Sequence, residues 1–496
     1  MSSTTTATAL VRPVGDPILD RLNTHPSARI SHRLLLVACL AFAGAGLLAV
    51  PASLPLGWDE LVYASRFPHF GPVTEFSAPR TRGVPALVAP VAVFTGSVPI
   101  LRTYLAAVAG LALYLGFRPW LRVSTQPYTV PLAAAFYGTG WIALFYAGSA
   151  MPNHYVATGT VGAVGAVLQL VGRRTATAPV VRRSAVAGLV CALAVATLMR
   201  PQDGVAVAAP LLLAVLLMPG RRAAAGWGVV GGTVLGLLPW VVEAQLAYGG
   251  VLQRLRTSAE IQGGMGWTFS VPEHAASLGG PLLCRPCRVE EVFGWPALSW
   301  WAVLLVLVAV GAGRMRRAQG QALALLLLTA LSVSATYLFL VGYAAPRFLL
   351  PAYALLALPA AAGLSACAAS LRRARPGSRR FGTFLGVALL AAHLAQQGAD
   401  LHTNVERQEA SRAEWRTIAS VLHTEGVRPP CTIDGNIGAI PLAHTAGCWA
   451  RLGTPKRPDA LVIRYAHRPR WAADWKVIPV RGTYNTGWKV VVPGER

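Results

Sequence analysis

The stretch GWDELVYASRF, Gly57 to Phe67, places two adjacent carboxylates, Asp59 and Glu60, shortly after a long apolar run. That run, residues 34–51, has the length of a membrane-spanning helix, about 17 to 22 residues. An acidic pair at a helix end ordinarily caps the helix or lies in a hydrated turn. Its position beside a membrane span raises a second interpretation, a polar site at the membrane surface.

The composition of the whole chain is that of a polytopic membrane protein. Of its 496 residues, 54% are hydrophobic and 13% are charged, whereas soluble domains carry about 25% charged residues. A net charge of +24 would favour nucleic-acid binding in a soluble protein, but the arginines form short clusters between apolar runs. Membrane topology explains such clusters better than a basic face does, so we expect no nucleic-acid partner.

Eleven apolar runs predict an α-helical polytopic membrane protein with about 11 transmembrane helices. The runs cover residues 34–51, 103–121, 128–148, 154–171, 184–199, 202–218, 226–247, 298–313, 319–343, 348–369 and 382–397. If the amino terminus is cytoplasmic, the arginine clusters fall on the inner side, as the positive-inside rule requires. These clusters contain Arg118, Arg122, Arg173, Arg174, Arg182, Arg183, Arg221, Arg222, Arg314, Arg316, Arg317 and the arginines within 372–380.

This topology predicts three domains. It also predicts that the protein lies in the cytoplasmic membrane. The domains are a cytoplasmic tail at 1–33, a transmembrane domain at 34–397 with outer loops at 52–102 and 248–297, and an extracytoplasmic α/β domain at 398–496. The apolar piece 84–98 is too short to cross comfortably, so we expect it to lie in the membrane interface. In the last domain, ERQEASRAEWRTIASVLHTEG predicts a helix, and ALVIRY, KVIPV and WKVVVP predict strands.

Cysteine usage agrees with this sidedness. The segments assigned to the outside contain Cys284, Cys287, Cys431 and Cys448. An even number of cysteines outside suits an oxidising compartment, so we expect these four to form disulfides. A zinc site at CRPC, Cys284 to Cys287, is the alternative, although no second pair of ligands is nearby.

Cationic and polar side chains gather at the predicted outer helix ends and loops. The candidate substrate-binding residues are Arg80, Arg82, Arg102, His154, Arg200, Arg254 and Arg347. Guanidinium groups bind phosphate through charge-assisted hydrogen bonds, and a nearby carboxylate accepts a proton from an attacking hydroxyl. This combination suits displacement at a sugar carbon whose leaving group is a lipid phosphate. For Arg200, Arg254 and Arg347 a headgroup anchor is the alternative, and for His154 a helix cap.

The same stretch resembles the first loop of the GT-C superfamily of polyprenyl-phosphate-sugar-dependent glycosyltransferases. GWDELVY, APRTRGVPALVAPVAVFTGS and ILRTYLAAVAGLALYL follow the order of the protein O-mannosyltransferase and aminoarabinose transferase branch. AMPNHY, MRPQDG and PRFLLPAYALLALPAAAGL extend the similarity over the first 370 residues or so. The usual His-Pro-Pro or Lys-Pro-Pro stretch is replaced by APRTRGVP, in which Arg80 or Arg82 supplies the cation.

The resemblance implies that Asp59 is the general base and that Arg102 faces the lipid phosphate. Glu60 would then orient the acceptor. We expect an inverting glycosyltransferase that moves a sugar from a polyprenyl-phosphate donor to an extracytoplasmic glycan, lipid or protein. No third acid accompanies Asp59 and Glu60, so we expect no metal and no other cofactor. A transporter of a lipid-linked sugar or a noncatalytic envelope protein are the alternatives.

Overall fold

The computed structural model describes residues 26–171, 179–218, 222–292, 294–436, 438–451 and 457–494. Long helices dominate it, as 54% apolar content in a membrane-sized chain requires. The helices of the first half are α1 Pro26–Ala49, α2 Trp58–Ala64, α3 Gly83–Ala92, α4 Val98–Phe117, α5 Trp120–Val123, α6 Thr129–Gly138, α7 Trp141–Ala147, α8 Asn153–Val171, α9 Pro179–Met199, α10 Pro201–Leu217 and α11 Arg222–Ala247. The remaining helices are α12 Val251–Ile261, α13 Val271–Ala276, α14 Val289–Val292, α15 Trp295–Phe339, α16 Leu350–Arg373, α17 Pro376–Thr424 and α18 Ala439–Thr445.

Within the described residues, eight helical segments are long and apolar enough to cross a membrane, and two of them lie within α15. A ninth crossing results if the bent pair α6 and α7 counts as one span. The predicted spans 202–218 and 382–397 correspond to the shorter α10 and to part of the 49-residue α17. The helical fold class is therefore confirmed, while the number of 11 spans stays a prediction. Arg173, Arg174, Arg221 and residues 1–25 of the predicted tail lie outside the described residues, and residues 26–33 of that tail are helical.

One predicted span has a different course in the structure. The run 128–148 is broken between Gly138 and Trp141, where the axes of α6 and α7 differ by 75°. The runs 298–313 and 319–343 correspond to two candidate spans, Trp295–Arg317 and Gln319–Phe339, which adjoin within α15 at the non-helical Gln319. Polar residues mark both places in the sequence. The apolar pattern is the same for a sharp bend as for a straight span, and the same for a one-residue break as for a loop.

Tight helix packing fixes the transmembrane core. α8 is completely buried and lies at its centre. α15 and α16 approach each other through glycines: a Cβ on Gly311 would lie 1.8 Å from the Pro359 carbonyl oxygen, and one on Gly363 would lie 2.1 Å from that of Leu307. Only glycine permits backbones this close, so the pair is held by van der Waals packing of the kind that joins helices in lipid.

The carboxyl-terminal part carries the small sheet that the sequence predicts. Its strands are β1 Thr432–Gly435, β2 Trp449–Ala450, β3 Ala460–Arg464, β4 Lys476–Pro479 and β5 Trp488–Val492, in the spatial order β2-β1-β3-β5-β4. β1 is parallel to β2 and β3, and β5 is antiparallel to β3 and β4. The boundary predicted at residue 398 lies inside the unbroken α17, which runs from the transmembrane part into this domain.

The carboxyl-terminal domain lies at the same end of the molecule as the loop that contains Asp59. α18 packs against α2, and the His444 Nε2 atom contacts the Phe70 carbonyl oxygen. Cys284 is disulfide-bonded to Cys287, and Cys431 is disulfide-bonded to Cys448. The first bond lies in the second large loop and the second lies in the carboxyl-terminal domain.

Candidate active site

The short helix α2 presents its two carboxylates in different directions. Gly57 lies at the N-cap in an extended conformation, and its N–H group donates to the Glu60 Oε2 atom at 2.8 Å. This contact fixes Glu60 in the first turn. Successive residues on a helix point about 100° apart, so Asp59 faces a different set of partners from Glu60. Its side chain is 34% exposed, whereas Glu60 is 4% exposed.

Asp59 lies between two guanidinium groups from distant parts of the chain. Arg80 Nη1 is 2.9 Å from Asp59 Oδ1, and Arg347 Nη2 is 3.4 Å from Asp59 Oδ2. Partial burial opposes ionisation of this carboxyl group, but the two cations outweigh it and hold the pKa of Asp59 below its ordinary value. The result is an ionised carboxylate, open to its surroundings, with two cations within reach.

A third cation extends this site. The Arg200 guanidinium stacks on Tyr337 and Phe348, with 5.2 and 5.0 Å to the ring centroids. Arg347 stacks on the same Phe348 ring at 5.3 Å, so both cations flank one aromatic side chain. Arg200 lies 3.6 Å from the buried Asp203 carboxylate, which also accepts a hydrogen bond from Tyr337. The Arg200 charge also acts on Asp59, whose pKa it lowers.

Glu60 is the centre of a buried ion network. Its carboxylate accepts hydrogen bonds from the Gly57 and Ala150 N–H groups at 2.8 and 3.0 Å. Arg102 contacts both its oxygens, at 3.3 and 3.2 Å, and Arg412 Nη1 lies 3.4 Å from Oε2. Burial opposes ionisation here too, but Arg102, Arg412 and the two N–H groups hold the pKa of Glu60 below its ordinary value.

Arg102 therefore lies elsewhere than the sequence led us to expect. Its side chain is 3% exposed, and the guanidinium also donates to the carbonyl oxygens of Leu54, Pro55 and Gly148. These protein acceptors surround the group, so it faces the interior and Glu60 instead of an open phosphate site. The structure forms two separate pairings, Asp59 with Arg80 and Arg347, and Glu60 with Arg102 and Arg412.

Arg412 was missed by the sequence analysis. It comes from α17, 352 residues after Glu60, and its side chain is 7% exposed. Burial lowers the pKa of Arg412 to about 10 although the Glu60 charge raises it, and the group stays charged at neutral pH. In the sequence it is one of several charged residues on a helix that is predicted to lie outside the membrane. No neighbouring residue in the sequence indicates that it is buried.

The architecture that carries this site matches known structures. By sequence, the chain matches no family model and no curated protein. By structure, it is similar to ArnT from Cupriavidus metallidurans bound to undecaprenyl phosphate, with a TM-score of 0.62 and 13% identity, over 93% of this chain and 99% of that one. The apo form of ArnT gives a TM-score of 0.60. The protein has a GT-C-like fold.

A second similar structure is the archaeal oligosaccharyltransferase AglB from Archaeoglobus fulgidus, in complex with an inhibitory peptide and a dolichol-phosphate. The TM-score is 0.50 at 11% identity, over 85% of this chain and 64% of that one. The similarity to both proteins concerns the GT-C fold. It also agrees with the apolar helices in indicating a multi-pass membrane protein.

Two further arginines, Arg82 in the loop that carries Arg80 and Arg254 on α12, form a separate cluster. Arg82 and Arg254 both contact the Glu243 carboxylate, the latter at 2.9 Å. The Arg254 side chain is 0% exposed and donates to the carbonyl oxygens of Ala78, Trp240 and Arg80. It therefore holds the loop that carries Arg80. Arg82 stacks on Phe76. Its side chain is nevertheless 45% exposed, so a ligand can reach the guanidinium group.

His154 does not join the Asp59 site. It is buried at the start of α8, where Nδ1 is 3.0 Å from the Tyr137 hydroxyl and Nε2 is 2.9 Å from the Ala109 carbonyl oxygen. The ring stacks on Phe42. Both nitrogens are thus engaged with protein atoms, which fits a role in helix packing.

No metal cluster accompanies these residues in the part of the chain that the structure describes. No group of three or more histidines, cysteines, aspartates or glutamates there is arranged to hold a metal ion. Asp59 and Glu60 form salt bridges with arginines and are not grouped with further acids.

Proposed function

We propose that the protein is an inverting glycosyltransferase that transfers a sugar from a polyprenyl-phosphate donor to an extracytoplasmic acceptor, a cell-wall glycan, a lipid or a protein. The observation that carries the proposal is the partly exposed Asp59 carboxylate held between Arg80 and Arg347. A base next to cations is what a sugar phosphate and an incoming hydroxyl need. The GT-C fold supports it, since ArnT is described with undecaprenyl phosphate and AglB with a dolichol-phosphate.

The proposed reaction requires one base and one anion site. The acceptor hydroxyl oxygen attacks the anomeric carbon of the donor from the face opposite the phosphate. As the new C–O bond forms, Asp59 takes the hydroxyl proton and the bond between the anomeric carbon and the phosphate oxygen breaks. The electron pair leaves with the polyprenyl phosphate, whose added negative charge the arginines stabilise. One displacement inverts the anomeric configuration.

The two salt bridges of Asp59 suggest how the donor activates the base. While Arg80 and Arg347 face the carboxylate, they keep its pKa low and make it a weak base. A lipid phosphate that takes over these guanidinium groups removes that stabilisation and adds a negative charge nearby. Both effects raise the pKa of Asp59. We propose that donor binding thereby prepares the proton acceptor, with Arg200 as a further phosphate contact.

The sidedness of the site is part of the proposal. The two disulfides belong to the second loop and the carboxyl-terminal domain, and the latter packs on the loop that carries Asp59. Disulfides persist in oxidising compartments. We therefore place the Asp59 end outside the cytoplasmic membrane and the amino terminus in the cytoplasm. Reaction of cysteines introduced at exposed positions of the two ends with an impermeant reagent on intact cells tests this placement.

Arg80→Gln is expected to move the acid limb of the pH profile of kcat/KM to higher pH. This limb reports the ionisation of the base in the free enzyme. The Arg80 cation lowers the pKa of Asp59, so its loss raises that pKa and the base is protonated at a higher pH. Arg82→Gln is the matched control, because Arg82 pairs with Glu243. An acid limb that stays at its original pH in Arg80→Gln contradicts Asp59 as the base.

Transfer is expected to survive metal chelation. The arginines supply the positive charge at the site, so a divalent ion is not needed to stabilise the departing phosphate. The measurement compares transfer before and after treatment with excess EDTA and dialysis. Loss of activity in EDTA with recovery on adding magnesium or manganese contradicts the proposal.

A further inference from the structure

A cavity runs along α8 and α9 and reaches the ends of these helices opposite Asp59. It has a volume of about 720 Å³ and is bounded by α4, α8 and α9, together with the first turns of α1. α4 and α9 both pack on α8, so α8 forms the floor of a groove and the other two helices form its walls. We call this the α4–α8–α9 groove. It is separate from the site built around Asp59, with which it shares no lining residue.

Close backbone contacts build the groove. A Cβ on Gly116 of α4 would lie 2.5 Å from the Thr158 carbonyl oxygen of α8. One on Gly159 of α8 would lie 2.7 Å from the Ala192 carbonyl oxygen of α9. The three helices are thus held together along the groove by small residues, and the space between them follows from how they pack.

The dimensions and lining of the groove fit a hydrocarbon chain. Its lining runs along α9 from Val180 to Val195, which at 1.5 Å per residue is about 22 Å. One leaflet of bilayer hydrocarbon is about 15 Å thick, so the groove is long enough to take a lipid tail through its whole leaflet. Most of its lining consists of glycine, alanine, valine and leucine.

The mouth of the groove is cationic. Arg118 and Arg122 line it beside His32 and Gln126, and no aspartate or glutamate is among the lining residues. His32 is held by the Tyr114 hydroxyl at 2.7 Å, and Gln169 donates to the Pro119 carbonyl oxygen. An apolar slot below two guanidinium groups is complementary to a chain that ends in a phosphate.

We propose that the α4–α8–α9 groove binds a lipid whose headgroup carries an anionic phosphate, with its tail along α8 and its phosphate at Arg118 and Arg122. This site is distinct from the donor site and does not depend on the proposed reaction. The occupant that we propose is an anionic membrane phospholipid, because Arg118, at the C-cap of α4, lies at the end of that helix opposite Arg102 and the proposed donor site.

Labelling of a cysteine in the groove can report whether the groove is occupied. Cys191 of α9 lines the groove and its thiol is free and exposed. Cys367 of α16 is also free and exposed but is not among the lining residues. The other described cysteines are buried or disulfide-bonded. Alkylation of Cys191 relative to Cys367 in one sample, read by peptide mass spectrometry, therefore measures occupancy of the groove.

The test uses the delipidated full-length protein in detergent with added phosphatidylglycerol, phosphatidylcholine or polyprenyl phosphate. We expect saturable protection of Cys191 by phosphatidylglycerol, with unchanged labelling of Cys367 and weaker protection by phosphatidylcholine. Protection by phosphatidylglycerol supports the proposal, and protection by polyprenyl phosphate alone overturns it. Equal protection by phosphatidylcholine, or no protection by any of the three lipids, overturns it.

Two variants complete the test. In Arg118→Gln/Arg122→Gln the concentration of phosphatidylglycerol that protects Cys191 should rise about ten-fold or more, since the charge-assisted hydrogen bonds to the phosphate are lost. Gly188→Phe should abolish the anionic-lipid adduct in native mass spectrometry. A Cβ at this groove residue meets no atom within 4 Å, so a side chain can be attached there without a clash at the backbone, and the phenyl ring occupies space that the lipid would need. Adducts that persist unchanged in both variants overturn the proposal.

Discussion

Asp59→Asn is expected to lower the rate of sugar transfer about 10²- to 10⁴-fold, the usual contribution of a general base. Asparagine keeps the size of the side chain but does not accept the proton. Binding of the donor lipid should persist and even tighten, because Arg80 and Arg347 lose the carboxylate that competes with the phosphate. Turnover and donor affinity, measured separately on purified protein, give the split between kcat and binding that marks a catalytic residue.

Asp459→Asn is a suitable control for this substitution. Asp459 is an exposed carboxylate of the carboxyl-terminal domain that accepts hydrogen bonds from Thr432. Its replacement removes the same charge at a distance from the Asp59 site, and transfer should be unchanged. An Asp59→Asn protein that transfers sugar at the original rate would remove Asp59 from the mechanism.

Glu60→Gln is expected to destabilise the protein by about 3–5 kcal/mol, the usual cost of breaking a buried ion pair from one side. The substitution leaves Arg102 and Arg412 buried beside a neutral amide. Because the folded-state pKa of Glu60 lies below its ordinary value, its stabilising charge is present at neutral pH and is lost only as acid protonates the folded carboxyl. Thermal unfolding in detergent at pH 7 measures the effect.

A matched substitution in a salt bridge at the surface distinguishes the destabilisation caused by breaking the buried Glu60 network from the effect of losing a carboxylate in general. Glu425→Gln breaks the salt bridge to Lys476, whose side chain is 59% exposed, and should cost less than about 1 kcal/mol. Adding Arg412→Gln to Glu60→Gln should cost little beyond Glu60→Gln alone, because both members of one network are then removed. Equal destabilisation by Glu60→Gln and Glu425→Gln would contradict the buried network.

The Glu60 network also explains what the carboxyl-terminal domain does for the site. Arg412 belongs to α17, which continues into that domain, and it contacts the residue next to Asp59. α18 of the same domain packs on α2. The orientation of the Asp59 helix thus depends on residues at both ends of the chain.

Much of the fold was predictable from local pattern. Apolar run length locates the spans, and β-branched runs between turn residues locate β3, β4 and β5, since these features act within a few residues. The short strands β1 and β2 have no such run, and their pairing depends on partners elsewhere in the sheet. The 75° bend after Gly138 and the unbroken α17 also depend on packing that the local sequence does not contain.

The candidate site was predictable in membership but not in pairing. Asp59 and Arg80 share one loop, and Arg347 lies 288 residues away at a predicted outer helix end, so topology and resemblance suffice to gather them. Which arginine pairs with which carboxylate depends on the direction in which each side chain leaves its helix. Asp59 and Glu60, neighbours on α2, point in different directions, and Arg102 lies on the side of Glu60. Arg412 had no local signal, because its burial comes from a tertiary contact alone.

The most direct test of the account is the fate of the donor. Purified protein in detergent, without any gradient, is incubated with polyprenyl-phosphate mannose or polyprenyl-phosphate arabinofuranose and cell-envelope material as acceptor, and the lipids are analysed by mass spectrometry. We expect free polyprenyl phosphate and a glycoside of inverted configuration from at least one donor in a panel that includes these two and further polyprenyl-phosphate sugars, and neither product with Asp59→Asn. Donors that bind yet remain intact across the panel, or equal cleavage by Asp59→Asn, would contradict it.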